Sequence, residues 1–335
     1  MYHGRFKGSH YEAGYKYGAL LRKHGHIITT SPTFEITEDM REFTRQSMPI
    51  YKEYYSEVIE EIQGMADGQE TSLETLCNLL LPMYCFKPQN HCTAFAISDG
   101  ENILLCKNSD FLVNIEKLYM NCLYSLNDTY AFNGNTTAFI QIEDGMNEEG
   151  LAAALTFLYP CKRKPGLNPG MLIRFILEKC RTIDEAIEAL RKIPVASAQT
   201  ITLADRDGKI AVVECNCENM EVVYPQKGEH FVVTANCFHS EGMKMYNPPS
   251  DVDTWRSEER YDTARNALSD ASDYSIELCE DILSGKYGFI CQYDRRKNTD
   301  TVWSAIYDCR NKKFYRVEGN PSRKRFKEDM RLKLE

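Results

Sequence analysis

Cys92 begins a short apolar run, CTAFAIS, which is followed by Asp99-Gly100 and by a second apolar run, NILLCKN. Two such runs on either side of Asp-Gly predict a β-hairpin. If Asp99 and Gly100 form a two-residue turn, Cys92 faces Lys107, and a one-residue change in loop length moves the facing position to Asn108. A cysteine reacts as a nucleophile in its thiolate form, which a nearby cation favours. The spacing is therefore compatible with nucleophilic thiol chemistry in which Lys107 is the cation.

Asp110 is placed just past the returning strand of this hairpin. From there its carboxylate could reach the backbone nitrogen or the side chain of Cys92. A second interpretation treats Cys92 as one of thirteen ordinary cysteine thiols, with Lys107 and Asp110 capping a surface hairpin. The spacing alone leaves both interpretations open.

Helices before the hairpin and strands after it must position these residues. Apolar residues at helical spacing predict helices over residues 9–23, over residues 37–65 with a kink or break at Pro49, and from Thr71 toward Pro82. Later strands are predicted over residues 137–142, 151–157, 200–204, 209–214, 221–224, 230–234, 301–307 and 313–317. Between the strands, helices are predicted over residues 170–179, 182–191, 257–268 and 274–283.

Two groups of strands separated by paired helices predict an α+β protein. Two stacked sheets, each covered on its outer face by helices, would give an α/β/β/α sandwich. We expect one structural domain, because no long linker interrupts the 335 residues. The basic run over residues 323–333 is predicted to be a solvated helix or tail.

The composition argues against several classes of protein. Lys and Arg number 40 against 49 Asp and Glu, and the net charge of −9 disfavours binding of nucleic acid through its phosphates. No apolar stretch is long enough to span a membrane, and the N-terminus lacks the apolar segment of a secretion signal. We therefore expect a cytoplasmic protein whose scattered cysteines are reduced thiols.

Several longer strings carry a family resemblance. They are HCTAFAISDGENILLCKNSDF, DGMNEEGLAAALTF, VVTANCF, SEERYDTARNAL and DTVWSAIYDCRNKKFYRVEGNP, with YEAGYKYGALL in the first helix. In this order they resemble the N-terminal-nucleophile (Ntn) amide hydrolases, specifically the isopenicillin-N acyltransferase-like family. The choloylglycine hydrolases, which include bile-salt and penicillin V hydrolases, are similar at a greater distance. The resemblance covers nearly the whole chain and implies the Ntn-hydrolase sandwich of two mainly antiparallel sheets.

The resemblance implies that the chain is made as a precursor and cut between His91 and Cys92. Residues 1–91 would then form a helical N-terminal piece and residues 92–335 the catalytic piece, and the two would stay associated. The freed α-amino group of Cys92 would act as general base for its own thiol, since such an amine titrates at about 7.7 to 8.0. Catalysis would proceed through a thioester on Cys92, without a metal or an organic cofactor.

The same comparison assigns roles to the other candidate catalytic residues. Lys107 occupies a position where the bile-salt branch usually has arginine. The positive charge is kept, but the planar guanidinium with its bidentate hydrogen bonds is lost. Asp110 would orient the α-amine of Cys92. Asn147 and Asn236 would donate hydrogen bonds to the developing oxyanion, and Arg260 would add positive potential behind the nucleophile. Without the resemblance, the asparagines are typical of turns and Arg260 of an exposed helix.

The expected substrate is a small N-acyl amide or a peptide-like molecule. Aromatic residues near the pocket-forming segments are compatible with an apolar acyl group; they are Phe111, Phe157, Tyr159 and Phe238. Hydrolysis is favoured over acyl transfer because water is always available. A homo-oligomer is left open, whereas nucleic acid and membrane are not expected as partners.

Other chemistries fit the residues less well. A papain-like enzyme would need a histidine base such as His230 or His239. Cys215, Cys217, Cys237 and His239 could be assembled into a zinc site, but Cys-x-Cys without an adjacent second pair is a weak pattern, and ordinary thiols are favoured. A third alternative is a non-catalytic binding protein of the same fold that is never cut.

Overall fold

The structure, a computed structural model, describes residues 1–28, 35–86, 91–331 and 333–334. It begins with a strand, β1 (Tyr2–Gly8), and continues with helices α1 (His10–Lys23), α2 (Glu38–Tyr54), α3 (Ser56–Gln69) and α4 (Leu73–Leu80). Side chains of Ser9, Thr37 and Ser72 accept hydrogen bonds from backbone N–H groups in the first turns of α1, α2 and α4. These caps satisfy N–H groups that would otherwise lack a partner.

The helical prediction for this N-terminal part is largely confirmed, with three differences. β1 was missed. The second predicted helix breaks at Tyr55, where the backbone leaves the helical conformation, and not at Pro49, which lies inside α2. The helix predicted from Thr71 has Ser72 as its cap. α1 and α3 pack closely through glycines, since a Cβ on Gly14 would lie 1.9 Å from the Glu61 carbonyl oxygen.

The remaining chain alternates strands with two pairs of helices. The strands are β2 (His91–Ser98), β3 (Ile103–Leu112), β4 (Met120–Leu126), β5 (Phe132–Thr136), β6 (Asp144–Asn147), β7 (Ala152–Phe157), β8 (Gln199–Ala204), β9 (Ile210–Cys215), β10 (Met220–Val223), β11 (Phe231–Thr234), β12 (Thr299–Asp308), β13 (Lys313–Val317) and β14 (Lys327–Glu328). The helices are α5 (Pro169–Lys179), α6 (Ile183–Lys192), α7 (Ser257–Ser269) and α8 (Ile276–Leu283). Short 3₁₀ helices lie at Val113–Leu118, Lys244–Tyr246 and Arg295–Lys297.

The described strands form two sheets. One has the order β1-β4-β5-β6-β7-β8-β9-β10 and the other β11-β2-β3-β12-β13-β14. Neighbouring strands are antiparallel except β1 and β4, which are parallel. The predicted α+β class with two mainly antiparallel sheets is therefore confirmed.

Three layers of apolar side chains hold the four layers of the sandwich together. The N-terminal helices, α5 and α6 pack on the outer face of the larger sheet. α7 and α8 cover the outer face of the smaller sheet, against residues such as Phe95 and Leu104. Between the sheets lie small residues, among them Ala94, Ala96 and Ala154. The α/β/β/α arrangement places β2 and β3 near the centre of the smaller sheet.

The strand prediction failed where buried polar residues replace the apolar pattern. β4 and β5 carry Asn121, Asn133 and Asn135, and the Asn121 side-chain amide donates to Asn133 Oδ1 at 2.7 Å and to Asn135 Oδ1 at 3.0 Å. Buried asparagines that satisfy one another remove the alternation from which strands are predicted. The strand predicted over 137–142 is wrong, because this segment follows β5 as an irregular connection.

The C-terminal basic run is not a helix in its described residues. It includes β14, which pairs with β13. No helix in the described ranges combines the length and the apolar character needed to cross a bilayer.

Candidate active site

The hairpin of β2 and β3 has a longer loop than the two-residue turn that we expected. Ser98 pairs with Ile103, and Asp99 Oδ1 accepts hydrogen bonds from the backbone N–H groups of Glu101 and Asn102. Cys92 consequently faces Ser109, so the predicted pairing with Lys107 or Asn108 is wrong.

The register error is two residues, which keeps every side chain on its predicted face of the sheet. Lys107 pairs with Ala94 and therefore lies diagonally across from Cys92 on the same face. The hydroxyl of Ser109, directly opposite Cys92, is buried and has no hydrogen-bond partner within the described ranges.

Cys92 is buried, and its thiol is neutral in the uncut chain. Burial raises the pKa of Cys92 to about 12; Lys107 opposes this shift, while Glu143, Asp110 and Asp144 add to it. A thiol with this pKa has almost no thiolate at neutral pH. Nucleophilic attack by Cys92 therefore requires a base that removes its proton.

Arg260 and Asn236 hold the backbone of Cys92 on both sides. The Arg260 Nη1 atom donates to the Cys92 carbonyl oxygen at 2.6 Å and to Thr93 Oγ1 at 2.7 Å. Its Nη2 atom donates to Asn236 Oδ1 at 2.7 Å, and the same oxygen accepts from the Cys92 backbone N–H at 3.1 Å. The amide nitrogen and the carbonyl of Cys92 are thereby fixed by one closed set of contacts.

Arg260 is fully buried in α7, so the alternative of an exposed helix is wrong for this residue. Its guanidinium also donates to the carbonyl oxygens of Trp255 at 2.9 Å and Thr254 at 3.0 Å. The exposed Arg256 pairs with Glu259 instead. The ion-pair partner of Arg260 is Asp110, at 3.8 Å from Nη1.

The orientation of the Asn236 side chain differs from the one that an oxyanion donor needs. Its amide nitrogen donates to the Phe157 carbonyl oxygen at 2.5 Å, while its oxygen faces Cys92 and Arg260. The side-chain oxygen accepts from two donors and the side-chain nitrogen donates to one acceptor, so the orientation of the amide is fixed. The backbone N–H of Asn236 donates to Ser257 Oγ at 2.8 Å, which ties this segment to the start of α7.

Asp110 lies within β3, opposite His91, and not beyond the strand. Its carboxylate accepts hydrogen bonds from Tyr293 Oη at 3.0 Å and from Thr301 Oγ1 at 2.6 Å. Burial raises the pKa of Asp110 to about 6, although Arg260 and both hydroxyls work against the shift. These partners replace the direct contact with Cys92 that we had expected.

Lys107 is neutralised by a carboxylate. Its Nζ atom lies 3.0 Å from Asp144 Oδ2 and donates to the Glu143 carbonyl oxygen at 3.1 Å. Asp144 also accepts from Trp303 Nε1 at 3.0 Å and from the Tyr307 hydroxyl. The ammonium group therefore belongs to a buried network beside Cys92 and is not an unpaired cation aimed at the thiol.

Asn147 is not brought together with the other candidates. It lies at the turn between β6 and β7, where its amide donates to the carbonyl oxygens of Leu177 at 3.0 Å and Cys180 at 2.8 Å. Its side-chain oxygen accepts from the backbone N–H groups of Glu149 and Leu151. Both protons of the amide are used to anchor the end of α5, so the expected oxyanion role does not fit this geometry.

A small cavity adjoins the His91–Cys92 bond. It has a volume of about 40 Å3, and its lining includes His91, Phe157, Tyr159 and Asn236. The His91 ring stacks on Trp255, with 4.3 Å between ring centroids. Burial, together with Arg260, lowers the pKa of His91 to about 3. Ligand pockets usually have volumes of about 300 to 1,000 Å3, so this space is too small for a substrate.

Two of the four predicted aromatic residues do not line this cavity. Phe111 packs near Tyr119 and Trp303. Phe238 is buried against Leu158 and Met243.

A histidine base for Cys92 and the four-residue zinc site are not supported by the positions of their residues. His230 contacts the Ser98 carbonyl oxygen, and His239 contacts Glu258, so both histidines have partners away from Cys92. Of the four cysteine and histidine residues considered for zinc, only Cys237 and His239 join a three-residue cluster of metal-binding groups in the described ranges.

Several residues of the site were missed by sequence reasoning. Tyr293 and Thr301 hold Asp110, and Trp255 packs on His91, although all three are far from Cys92 in the chain. Thr93, which contacts Arg260, could have been found because it adjoins Cys92. The unpartnered Ser109 could also have been found once the loop length was known.

Comparison with known proteins identifies the family. A family model described as acyl-coenzyme A:6-aminopenicillanic acid acyl-transferase matches residues 97–323, more than half of the chain. Among solved structures, penicillin V acylase from Agrobacterium tumefaciens is similar, with 16% identity, 68% of this chain and 82% of that chain covered, and a TM-score of 0.48. A variant of conjugated bile acid hydrolase from Clostridium perfringens has 15% identity, 73% and 99% coverage, and a TM-score of 0.48. The assignment rests on the family model: the chain belongs to the acyl-coenzyme A:6-aminopenicillanic acid acyl-transferase family of Ntn hydrolases.

Proposed function

We propose that this protein is a cysteine Ntn enzyme that cleaves a linear amide of an N-acyl substrate, or transfers its acyl group, after cutting its own chain between His91 and Cys92. The observation that carries this proposal is the closed set of contacts around Cys92. Arg260 donates to the Cys92 carbonyl oxygen, and Asn236 accepts from the Cys92 amide nitrogen. The backbone of the reacting residue is thus fixed on both sides.

The cut begins when the Cys92 thiol attacks the His91 carbonyl carbon. A C–S bond forms, the C–N bond to Cys92 breaks, and the thiol proton is transferred to the departing nitrogen, which becomes an amine. Water then hydrolyses the thioester, which gives a carboxylate on His91 and returns the thiol. The fixed backbone of Cys92 favours this step because attack needs a near-attack geometry.

After the cut, the nitrogen of Cys92 is an amine, which supplies the base that the buried thiol lacks. Such an amine titrates at about 7.7 to 8.0, so a fraction is unprotonated at neutral pH. The oxygen of Asn236, which lies 3.1 Å from this nitrogen in the uncut chain, would orient the amine. The thiolate would attack the substrate carbonyl, the ammonium would protonate the leaving nitrogen, and the amine would then activate water or an acceptor amine.

The surrounding residues have positioning roles in this mechanism. Arg260 places positive charge next to the reacting residue, and Asp110 holds Tyr293 and Thr301 behind it. Lys107 opposes the rise in the pKa of Cys92 through its charge, while its ion pair is with Asp144. For Asn236 to donate to an oxyanion, its amide would have to leave the Phe157 carbonyl oxygen.

The acyl group of a substrate would occupy the space that His91 fills before the cut, since both carbonyl carbons are attacked by the same sulfur. His91 lines the cavity together with Phe157 and Tyr159 and stacks on Trp255. Departure of the His91 end would enlarge this cavity and leave an aromatic surface for an apolar acyl group. We propose water as the usual acceptor, with transfer to an amine as the alternative.

The N-terminal piece would remain bound after the cut. Arg174, in α5, is fully buried and pairs with Glu61 in α3 and with Glu178 in its own helix. Glu178 accepts hydrogen bonds from Tyr55 and contacts His10, both of which lie before the cut. Separating the pieces would break the ion pair between Arg174 and Glu61 and the contacts of Glu178 with Tyr55 and His10.

Intact mass of the purified protein tests the proposal. We expect two polypeptides divided at Cys92, one uncut chain for Cys92→Ala, and normal cutting for Cys161→Ala, which changes an exposed cysteine. The cut protein should then release acid from at least one member of a panel of N-acyl amides.

Two results would contradict the proposal. An uncut chain with full amidase activity would exclude the terminal amine as base. A single uncut chain without activity would instead favour a non-catalytic protein of the same fold.

A further inference from the structure

A second cluster of reactive side chains lies outside the contacts that hold Cys92. Cys237 follows β11 and is buried, His239 is two residues further on and partly exposed, and Glu258 is exposed in the first turn of α7. One ligand atom of each lies within 4.8 Å of the others. Cysteine, histidine and glutamate are the residues that bind zinc in proteins.

The distances between these atoms fit a tetrahedral metal ion. Cys237 Sγ lies 3.7 Å from His239 Nε2, and that nitrogen lies 3.2 Å from Glu258 Oε2. With Zn–S of about 2.3 Å and Zn–N and Zn–O of about 2.0 Å, tetrahedral angles place sulfur and nitrogen about 3.5 Å apart and nitrogen and oxygen about 3.3 Å apart. The two measured spacings are therefore close to those required, and the sulfur and the carboxylate oxygen lie within 4.8 Å of each other.

The cluster is also reachable from solvent. His239 lines an open cleft of about 210 Å3, together with Glu214, Ser240, Tyr261 and Arg265. The His239 ring is held by stacking on Tyr261, with 3.6 Å between ring centroids. An oriented imidazole at the edge of a cleft gives an ion a path of entry and leaves room for a water molecule as fourth ligand.

We propose that Cys237, His239 and Glu258 form a zinc site with a water molecule in the fourth position. On binding, the Cys237 S–H bond breaks, its proton goes to solvent, and a Zn–S bond forms. The proposal is independent of the chemistry of Cys92.

Zinc at this position would brace the segment that holds the amide nitrogen of Cys92. Ser257 Oγ already lies 2.8 Å from the Asn236 backbone nitrogen and 3.1 Å from Cys237 Sγ. The metal would add a second link between this segment and α7, the helix that carries Arg260. The role of the site is therefore to position these two elements.

Zinc titration of the full-length Cys92→Ala chain tests the site without interference from the Cys92 thiol. In competition with a chromophoric zinc indicator, we expect one equivalent of tight binding. His239→Ala and Cys237→Ser should each weaken it at least 100-fold, and Glu258→Gln about 10-fold. Two matched controls should bind as the parent does: Cys217→Ser, which changes a cysteine outside the cluster, and Glu259→Gln, which changes the next residue of α7.

Cobalt provides a readout that does not depend on affinity. The Co2+ form should show thiolate-to-metal charge-transfer absorption that disappears in Cys237→Ser and is altered in His239→Ala. If Cys237→Ser does not fold, the His239→Ala titration and the cobalt spectrum of the parent still decide the question. Absence of tight zinc binding, or binding that His239→Ala leaves unchanged, would overturn the proposal.

Discussion

Two fully buried arginines, Arg174 and Arg260, have opposite electrostatic surroundings. Arg174 is matched by two carboxylates, with Nη1 at 2.9 Å from Glu61 Oε1 and Nε at 2.9 Å from Glu178 Oε1. Arg260 donates mainly to neutral oxygens, and Asp110 is 3.8 Å away. A buried charge that carboxylates neutralise joins structural elements, whereas one that faces carbonyl and amide groups raises the local positive potential.

The two arginines also differ in where their partners lie relative to the proposed cut. Arg174 joins residues on either side of the proposed cut, and its guanidinium also lies 4.2 Å from the centre of the Tyr124 ring. Arg260 contacts Cys92 itself. The first arginine is thus placed to hold the two pieces together, and the second to act on the bond between them.

The largest effect is expected from removing the structural arginine. Arg174→Met leaves Glu61 and Glu178 buried without their cation, so the free energy of unfolding should fall by about 3 to 5 kcal/mol. Urea unfolding of the Cys92→Ala background measures this, and adding Glu178→Gln should restore part of the loss. A fall below about 1 kcal/mol would contradict a structural role for the cluster.

Removing the second arginine should affect the cut more than the fold. Arg260→Leu should slow cutting at His91–Cys92 by about 100-fold to 1,000-fold, the range seen when one preorganised donor is lost. The fraction cut over time, from intact mass, measures this. Arg256→Ala, an exposed change in the residue before α7, should cut at the parent rate; equal slowing in both variants would contradict a specific role for Arg260.

The carboxylates beside the two arginines, Asp110 and Glu178, should change the free energy of unfolding with pH in opposite directions. Burial raises the pKa of Asp110 to about 6, so the folded state takes up a proton that the unfolded state has already lost. This contribution reduces stability as pH rises from about 4 to 6, by about 2 to 3 kcal/mol. Asp110→Asn should remove that part of the slope in unfolding experiments across this range, compared with the Cys92→Ala parent.

Glu178 should stabilise the folded state less as pH falls. Burial acts to raise its pKa, but Arg174 and the contacts with His10 and Tyr55 lower the pKa of Glu178 to about 2. Its stabilising contribution is present above about pH 4.3 and is lost as pH falls toward 2. In Glu178→Gln, unfolding between pH 4.5 and about 2 should depend less on pH; an unchanged dependence would contradict the assignment.

The smallest effects are expected from removing one tyrosine hydroxyl beside each of the two carboxylates, Asp110 and Glu178. Tyr293→Phe and Tyr55→Phe each remove a hydrogen bond to a buried carboxylate, which costs about 1 to 3 kcal/mol. Only Tyr293→Phe should also move the pH midpoint of cutting upward, because its hydroxyl helps to keep Asp110 ionised. Cutting rates of both variants, measured from pH 5 to about 8, test this difference. Equal pH midpoints would contradict a specific role for Tyr293 in the cut.

Prediction from sequence succeeded where local patterns determine structure. The predicted helix starts at residues 9 and 37 lie beside the observed starts of α1 and α2, and most of the later strands lie where they were predicted. It failed at β4 and β5, because Asn121, Asn133 and Asn135 are buried through mutual hydrogen bonds that no periodic pattern reveals.

The candidate site shows the same limit. The family resemblance selected Cys92, Asn236 and Arg260, which the fold brings into direct contact. It also selected Asn147, whose amide is used to anchor α5. A motif identifies residue types, whereas the partners of each side chain depend on long-range packing and, at Cys92, on a hairpin loop longer than Asp-Gly alone predicts.

The parallel pairing of β1 with β4 has a practical consequence for anyone who produces the two pieces separately. β1 is the edge strand of the larger sheet, and it comes from the part of the chain that precedes the proposed cut. Residues 92–335 expressed alone would present β4 as an open edge with unpaired backbone groups, which invites aggregation. Recovery of well-behaved protein should therefore require that both pieces be synthesised together.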